Sequence, residues 1–203
     1  MKKKIEAICI VAHPDDETIW MGGIILKNPD WEWTILCLSR KNDKDRAPKF
    51  RKVCELYGVK GIISDLDDEK LEPLNVEKVA KKIKDNLPKK KFEYIFTHGK
   101  NGEYGHLRHK EIHEAVLHLI FKNELIGEKV YFFSYLPGSV EWKDSGLKIP
   151  ISNPNPDWRV FLDDETLQRK IEIVVSTYDF GSESFEALSC ASREAFDLKK
   201  EEK

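Results

Sequence analysis

The strongest constraint on the fold is an alternation of short apolar runs with longer amphipathic ones. The short runs are IEAICIVA, WTILCLS, GIIS, YIFTH and KVYFFS, which have the β-branched and aromatic content of strands. Between them lie ETIWMGGIILK, residues 49–57, NVEKVAKKIKDNL and EIHEAVLHLIFKN, whose apolar residues recur near the helical period. This order predicts βαβ units, and therefore an α/β fold with a largely parallel central sheet covered by helices on both faces.

The chain length of 203 residues and the absence of a linker-like stretch predict a single domain over residues 1–203. Residues 134–157 are rich in proline, glycine and serine, which indicates a long loop or irregular hairpin that could bind substrate. Trp142 and Trp158 could stack on a ligand there or pin the loop to the body of the protein. After this segment, DDETLQRKIEIVVSTY and SFEALSCASREAFDL are predicted as two final helices.

Charge and targeting signals narrow the classes of partner. The net charge of -2 lacks the basic excess of proteins that bind nucleic acid or anionic membranes. The first apolar run is too short for a signal peptide or a membrane span, so we expect a cytoplasmic protein without an integral membrane segment. The four cysteines are far apart and mostly lie in apolar patterns, which predicts free core thiols. A homo-oligomer is compatible with the sequence.

The first apolar run ends in AHPDDE, residues 12–17, where a histidine precedes three acidic residues. One interpretation is a helix start, with Pro14 in the first turn and the acids as capping groups. That interpretation leaves His13 unexplained. Because ligands of open α/β sheets bind outside the carboxyl ends of the strands, AHPDDE is also placed where a binding site is expected.

A second cluster, THGKNGEYGHLRHKEIHEAV, follows the strand YIF and leads into a helix. Imidazole and carboxylate groups suit zinc, and a catalytic zinc takes three protein ligands. His13, Asp16, His106 and His109 are four candidates for those three places, and a spare histidine could stabilise an oxyanion or a leaving group. His113 and His118 are more simply explained as structural or solvated residues on the helix flank.

Taken together, AHPDDE and TH-x-x-NGEYGH-x-x-H resemble the PIG-L/LmbE-like family of zinc-dependent deacetylases, which act on N-acetylglucosamine-type sugars. The resemblance implies a Rossmann-like three-layer sandwich. It also implies that His13, Asp16 and His109 bind Zn²⁺, with another divalent transition metal as the alternative. Asp15 would be the general base, and His106 would stabilise the tetrahedral intermediate or protonate the amine.

The expected substrate contacts are less well defined than the metal ligands. The resemblance places Arg46, Asn101 and Tyr104 at the substrate, and the composition of the 134–157 loop adds Trp142. Many family members carry a Thr-Gly-Asp-like turn and an Arg-x-x-Glu helix start, whereas this chain has Ser-Arg-Lys-Asn at 39–42 and Lys49. These departures leave open which N-acetylated sugar or glycoconjugate is cleaved. The alternatives are a catalytically inactive sugar- or nucleotide-binding protein and a structural or interaction protein.

Overall fold

The computed structural model describes residues 4–70 and 72–200, so residues 1–3, 71 and 201–203 of the expected domain lie outside it. Within the described part, one sheet contains seven strands in the order β3-β2-β1-β4-β5-β9-β8. The first five strands are parallel, whereas β9 runs antiparallel to β5 and β8 antiparallel to β9. Their bounds are β1 Glu6–Val11, β2 Glu32–Ser39, β3 Lys60–Leu66, β4 Lys91–Thr97, β5 Ile126–Phe133, β8 Trp158–Phe161 and β9 Arg193–Leu198.

The helices cover both faces of this sheet. They are α1 Asp16–Lys27, α2 Arg46–Tyr57, α3 Val76–Asn86, α4 Gly102–Gly105, α5 Leu107–Phe121, α6 Asp164–Glu172 and α7 Phe185–Leu188, with a π-helical turn at Ile173–Thr177. One core packs α1, α2 and the π-helical turn against the sheet, and the other packs α3 and α5 against its opposite face. The three-layer α/β fold expected from the alternating pattern is confirmed.

The central strand β1 shows why the strand signals are so strongly apolar. Its residues contribute alternately to the two cores, with Cys9 and Val11 in one and Ile8 and Ile10 in the other. Successive side chains of a strand point to opposite faces of a sheet, so a central strand covered on both faces is apolar at every position. The four cysteines are buried free thiols, as predicted.

The predicted final helix over 184–198 is wrong in its second half. Only Phe185–Leu188 is helical, and Arg193–Leu198 forms β9 instead. Glu194, Ala195 and Phe196 are all fully buried. Three consecutive buried residues need contacts on two opposite faces, which an interior strand provides and an amphipathic surface helix does not.

Glu194 on β9 also explains an irregularity in α1. The helix is kinked at Met21, where φ is -148°, and Glu194 accepts the backbone N–H groups of Gly23 and Ile24 at 2.7 and 2.8 Å. The ammonium of Lys170 donates to the same carboxylate at 2.7 Å, and both side chains are fully buried. A buried carboxylate thus binds the helix N–H groups, and a buried lysine neutralises its charge.

The segment 134–157 forms the irregular hairpin that its composition indicates. Strands β6 (Tyr135–Glu141) and β7 (Lys148–Ser152) pair antiparallel as a separate two-stranded sheet, with a register shift between Pro137 and Glu141. Trp158 begins β8, is partly buried and packs against the core residues Tyr131 and Phe196. Across residues 4–70 and 72–200, no helix has the length and apolar character needed to cross a membrane.

Candidate metal centre and active site

The two predicted clusters meet because β1 and β4 are neighbours in the sheet. These strands pair in parallel from Ala7–Tyr94 to Ile10–Thr97, so their carboxyl ends lie side by side. The turn after β1 carries His13, Asp15 and Asp16, and the segment after β4 leads through α4 into α5, which carries His109. Residues about ninety positions apart in sequence are thereby in direct contact, with His109 Nε2 only 3.3 Å from His13 Nδ1.

Three residues bring donor atoms close together at this junction, and Asp16 presents a different oxygen to each histidine. His13 Nδ1 lies 3.3 Å from an oxygen of Asp16, and His109 Nε2 lies 3.3 Å from His13 Nδ1 and 3.4 Å from the other Asp16 oxygen. In a tetrahedral zinc site with bonds of about 2.0–2.1 Å, neighbouring donor atoms are separated by about 3.4 Å. The residues present therefore fit a zinc-sized ion.

Hydrogen bonds on the far side of each imidazole leave the inner nitrogens free. His13 Nε2 lies 3.1 Å from Asp68, and His109 Nδ1 lies 2.5 Å from Glu103, so each of these nitrogens is assigned the ring proton. In the neutral state that metal binding requires, the lone pairs of His13 Nδ1 and His109 Nε2 face the shared point. Carboxylate partners of this kind are typical of metal-binding histidines.

Proximity alone admits other ligand sets. Two triads have donor atoms within 4.8 Å of one another: His13, His106 and His109, and Asp16, His98 and His109. His98 has no free lone pair, because its Nε2 accepts the backbone N–H of Ala12 at 3.0 Å and its Nδ1 bonds Glu103 at 2.9 Å. His106 remains as a neighbour of the site, and its buried Nδ1 has no hydrogen-bond partner among the described residues.

Asp16 is held more firmly than His106. One of its oxygens accepts the backbone N–H of His13 at 2.8 Å, and the other accepts the indole N–H of Trp20 at 2.9 Å. Ligating carboxylates are characteristically fixed by such bonds. Asp16 is thus already oriented for coordination, which leaves His106 as the spare histidine expected from the sequence.

Asp15 occupies the N-cap position of α1, but its side chain does not bond the N–H groups of the helix. Its side chain makes no capping hydrogen bond, its φ of 131° is strained for a residue with a side chain, and its carboxylate accepts an N–H from Arg46 at 2.8 Å. The guanidinium of Arg46 lies 4.3 Å above the ring of Phe180, which holds it in place. The capping interpretation is therefore wrong for Asp15.

The electrostatics of the site favour a cation. Burial acts to lower the pKa of His13, but hydrogen bonds with Asp16 and Asp68 raise it to about 10. Burial and the neighbouring charge of Asp16 raise the pKa of Asp15 well above its usual range, although Arg46 opposes them. At His106, burial and the nearby histidines lower the pKa to about 3, which keeps this imidazole neutral.

These groups line a cavity of about 310 Å³. Six of the predicted site residues contribute to its wall: His13, Asp15, Asp16, Arg46, Tyr104 and His106. His109 lies beneath them and is fully buried. Phe185 and Glu186 also line this cavity, and sequence reasoning did not identify them.

Two predicted substrate contacts lie away from this cavity. The amide of Asn101 donates to the carbonyl of Tyr135 at 2.7 Å, and the indole of Trp142 donates to the carbonyl of Glu183 at 2.9 Å. Trp142 also contacts the edge of Phe185, with ring centroids 6.2 Å apart. Its position therefore fits the alternative in which it pins the loop to the body of the protein.

Two buried carboxylates were missed by sequence reasoning. Glu103 lies inside the NGEYGH string, but acids in tight turns are common and nothing in the string separates it from a solvated residue. Asp68 lies in the acidic run after β3, where its neighbours have the same chemistry. Asp68 also accepts two hydrogen bonds from Arg40, at 3.2 and 2.7 Å. Arg40 belongs to the 39–42 turn, whose sequence differs from the Thr-Gly-Asp-like turn of many family members.

Comparisons with known proteins give a family match over the part of the chain that contains both clusters. Residues 8–120 match the model of a protein family described as GlcNAc-PI de-N-acetylase (PIG-L). A curated relative, an uncharacterized protein of Acanthamoeba polyphaga mimivirus, is 26% identical over 126 residues, which are 54% of this chain and 55% of that protein. The match thus spans about half the length of that relative.

Solved structures share the fold along nearly the whole chain. The N,N'-diacetylchitobiose deacetylase from Pyrococcus horikoshii superposes with a TM-score of 0.70 at 18% identity, covering 98% of this chain and 85% of that one. The 4-carboxy-2-hydroxymuconate hydratase from Pseudomonas putida superposes with a TM-score of 0.61 at 15% identity, covering 98% and 97%. Two different reactions occur on this fold, so the reaction has to be argued from the site.

Proposed function

Since the chain belongs to the GlcNAc-PI de-N-acetylase (PIG-L) family, we propose that it is a zinc-dependent hydrolase that removes the acetyl group from an N-acetylglucosamine-type sugar or glycoconjugate. The observation that carries this proposal is the convergence of His13, Asp16 and His109: the inner nitrogens of the two histidines lie 3.3 Å apart, and each lies 3.3 to 3.4 Å from one of the two Asp16 oxygens. All three residues lie inside the matched region 8–120.

Two imidazoles and one carboxylate are a ligand set that suits zinc and leaves a fourth position open. Zinc bound there would lower the pKa of water towards about 7 and polarise the carbonyl of the amide. Another divalent transition metal with the same ligand preferences is the alternative. The remaining chemistry falls to the side chains around this point.

Asp15 is placed to accept the proton of the attacking water. It is adjacent in sequence to Asp16, yet its carboxylate lines the cavity and pairs with Arg46. The raised pKa of Asp15 makes it a better proton acceptor than an ordinary aspartate. The two neighbouring aspartates thus have different roles, one as ligand and one as base.

Arg46 contributes by orienting this base. Its guanidinium bonds Asp15 at 2.8 Å and stacks on Phe180, so it fixes a carboxylate that a strained backbone already presents to the cavity. A general base must be within hydrogen-bond reach of the proton that it removes. Arg46 also lines the cavity, which leaves its other N–H groups available to a substrate.

His106 serves the developing oxyanion and the leaving amine. It lies beside both histidine ligands, with ring centroids 4.7 Å from those of His13 and His109. A neutral imidazole retains one N–H, which it can donate to negative charge that forms on the substrate oxygen. Proton transfer from Asp15 or His106 to the nitrogen then allows the amine and acetate to separate.

The sugar substrate is supported by the family description and by the cavity itself. Tyr104, Phe185 and Glu186 bring aromatic surface and a carboxylate to one cavity, a combination that suits a hydroxylated ring. In P. horikoshii, a protein of the same fold deacetylates N,N'-diacetylchitobiose. We therefore place N-acetylglucosaminides first among the candidate substrates.

The test combines metal analysis with a substrate panel. Purified protein is expected to contain about one zinc ion per chain. It should release acetate and free amine in equal amounts from at least one of N-acetylglucosamine, N,N'-diacetylchitobiose and phosphorylated or lipid-linked N-acetylglucosaminides. Activity should disappear after chelation and return with zinc. Zinc-loaded, folded protein that releases no acetate from any of these compounds would contradict the proposal.

A further inference from the structure

The buried carboxylate of Glu103 lies directly behind the candidate metal ligand His109. One of its oxygens accepts the backbone N–H of Gly99 at 2.7 Å. The other lies 2.9 Å from His98 Nδ1 and 2.5 Å from His109 Nδ1. The side chain is fully buried, so solvent does not compete for these bonds.

The proton position on His98 is dictated by the backbone of β1. The N–H of Ala12 donates to His98 Nε2 at 3.0 Å, and a backbone amide cannot act as an acceptor there. A neutral His98 must therefore carry its proton on Nδ1, from which it donates to Glu103. The carboxylate of Glu103 therefore accepts a hydrogen bond from His98, whichever tautomer His109 adopts.

His109 completes the arrangement. Its ring stacks on that of His98, with centroids 3.8 Å apart and an angle of 19° between the planes. With Nδ1 facing the same oxygen of Glu103, His109 presents Nε2 to His13 and Asp16. The two histidines are thus held in parallel by one acceptor.

The backbone at Glu103 is also unusual. Its φ of 55° and ψ of -61° fall outside the conformations that residues with side chains commonly adopt. Such strain persists only where surrounding contacts determine the conformation, and it is often found next to functional groups. Here the contacts are the three hydrogen bonds to the carboxylate.

We propose that Glu103 is a positioning residue that fixes His109 in the Nδ1–H tautomer, so that its Nε2 lone pair is available to a divalent metal ion. This inference rests on the metal site of the proposed function and names the group that prepares it. Burial acts to raise the pKa of Glu103, but the neighbouring His98 and the hydrogen bonds from both histidines lower it to about 2, which keeps the acceptor ionised.

Glu103→Gln is the informative variant because it keeps the shape of the side chain. The amide has only one oxygen, so it cannot accept from both Gly99 and the histidines. If its NH₂ group faces the histidines, it selects the tautomer of His109 whose Nε2 is protonated and cannot bind metal. Loss of an outer carboxylate partner typically costs 10–100-fold in metal affinity, and we expect a fall of about that size in zinc affinity measured by chelator competition.

His113→Asn is the matched control. His113 is a buried histidine one helical turn beyond His109, and its Nδ1 donates to the backbone carbonyl of His98 at 2.9 Å. Asparagine retains a donor at that place, and His113 belongs to neither donor triad of the site. Zinc affinity in this variant should stay within about threefold of that of the unmodified protein, well below the effect of losing a carboxylate partner.

Nitrogen-15 NMR of the histidines in metal-free protein measures which ring nitrogen carries the proton. A purely structural role of Glu103 predicts no change in this tautomer when Glu103 is replaced. His98 and His109 should both be Nδ1–H tautomers in the unmodified protein, and His109 should shift towards Nε2–H in Glu103→Gln. Unchanged zinc affinity in a folded Glu103→Gln, or an Nε2–H tautomer of His109 in the unmodified protein, would overturn the inference. If Glu103→Gln fails to fold, the tautomer of His109 in the unmodified protein still tests the inference. Unmodified protein that binds no zinc would refute the metal site itself, whereas tight binding that Glu103→Gln leaves unchanged would refute only the role of Glu103.

Discussion

The replacement Asp15→Asn separates the roles of the two adjacent aspartates most sharply. Asparagine keeps the size of the side chain and leaves the donor atoms of His13, Asp16 and His109 in place. Because the amide cannot accept the proton of water, turnover should fall by about 10²–10⁴-fold, equivalent to about 2.7–5.5 kcal/mol in activation free energy. The zinc content should remain unchanged.

The effect on folding should be much smaller than the effect on turnover. Losing the ion pair removes a charge-assisted bond to Arg46, whose side chain is 24% exposed and keeps its contact with Phe180. In the opposite direction, the raised pKa of Asp15 means that the ionised form is disfavoured in the folded protein, and neutral asparagine removes that cost. These opposing terms should leave the free energy of unfolding within about 1 kcal/mol of its original value.

The assay compares steady-state acetate release, zinc content and urea unfolding on the same preparations. Asp45→Asn is the control, since Asp45 precedes Arg46 in sequence, pairs with Lys49 and has a side chain that is 64% exposed. That variant should retain activity. If zinc-loaded Asp15→Asn works within a fewfold of the unmodified enzyme, Asp15 is not the base and the assignment of roles within AHPDDE is refuted.

Other predictions follow from the same contacts. His13→Ala and His109→Ala should abolish zinc binding measured by elemental analysis, and equal zinc in both variants and the unmodified protein would contradict the ligand set. Asp16→Ala should weaken zinc binding first, so that added zinc restores part of the activity; inactivity at saturating, bound zinc would show a different role. Trp142→Ala should raise KM more than it lowers kcat, because Trp142 packs on Phe185 in the cavity wall, and unchanged constants for every accepted sugar would limit Trp142 to packing. Lys170→Met should lower the free energy of unfolding by about 3–5 kcal/mol, because it leaves the buried Glu194 unpaired. Lys27→Met, which breaks the exposed pair with Asp163, should leave the urea midpoint unchanged, and equal effects of the two lysine variants would contradict this reasoning.

The sequence predicts those parts of the fold whose environment is encoded locally. A strand such as β1, buried on both faces, is apolar at every position, and a helix such as α3 shows its buried stripe of Val79, Ala80 and Ile83 at helical spacing. Strand β9 is different, because Glu194 and Arg193 interrupt its apolar character. Its burial depends on a lysine and two helix N–H groups from elsewhere in the chain, and no local pattern indicates such partners.

The candidate site divides in the same way. For residues that share a turn, such as His13 and Asp16, the short spacing in the sequence predicts that their side chains lie close together. Asp68 acts through a contact that the topology creates, because it lies 55 residues from His13 in sequence. Glu103 bonds histidines that are five and six residues away, but only the conformation of the intervening turn brings them to one oxygen. An acidic residue behind a ligand has no sequence signature of its own, because its chemistry is also that of a solvated loop. The groups that bind a metal are therefore easier to predict from sequence than the groups that orient them.

The cavity is built from two parts of the chain that differ in what they contribute. The proposed metal ligands and the proposed base come from the segments after β1 and β4, within residues 8–120, whereas Phe185 and Glu186 come from a segment outside the matched region. The second part is held to the hairpin by Trp142 and contacts the first through Phe180, which lies under Arg46. Because Arg46 also bonds Asp15, a displacement of Phe180 would be transmitted to the base without involving the metal ligands. We therefore expect a substitution at Phe180 to lower turnover without changing zinc affinity, and a parallel loss of zinc would contradict this separation.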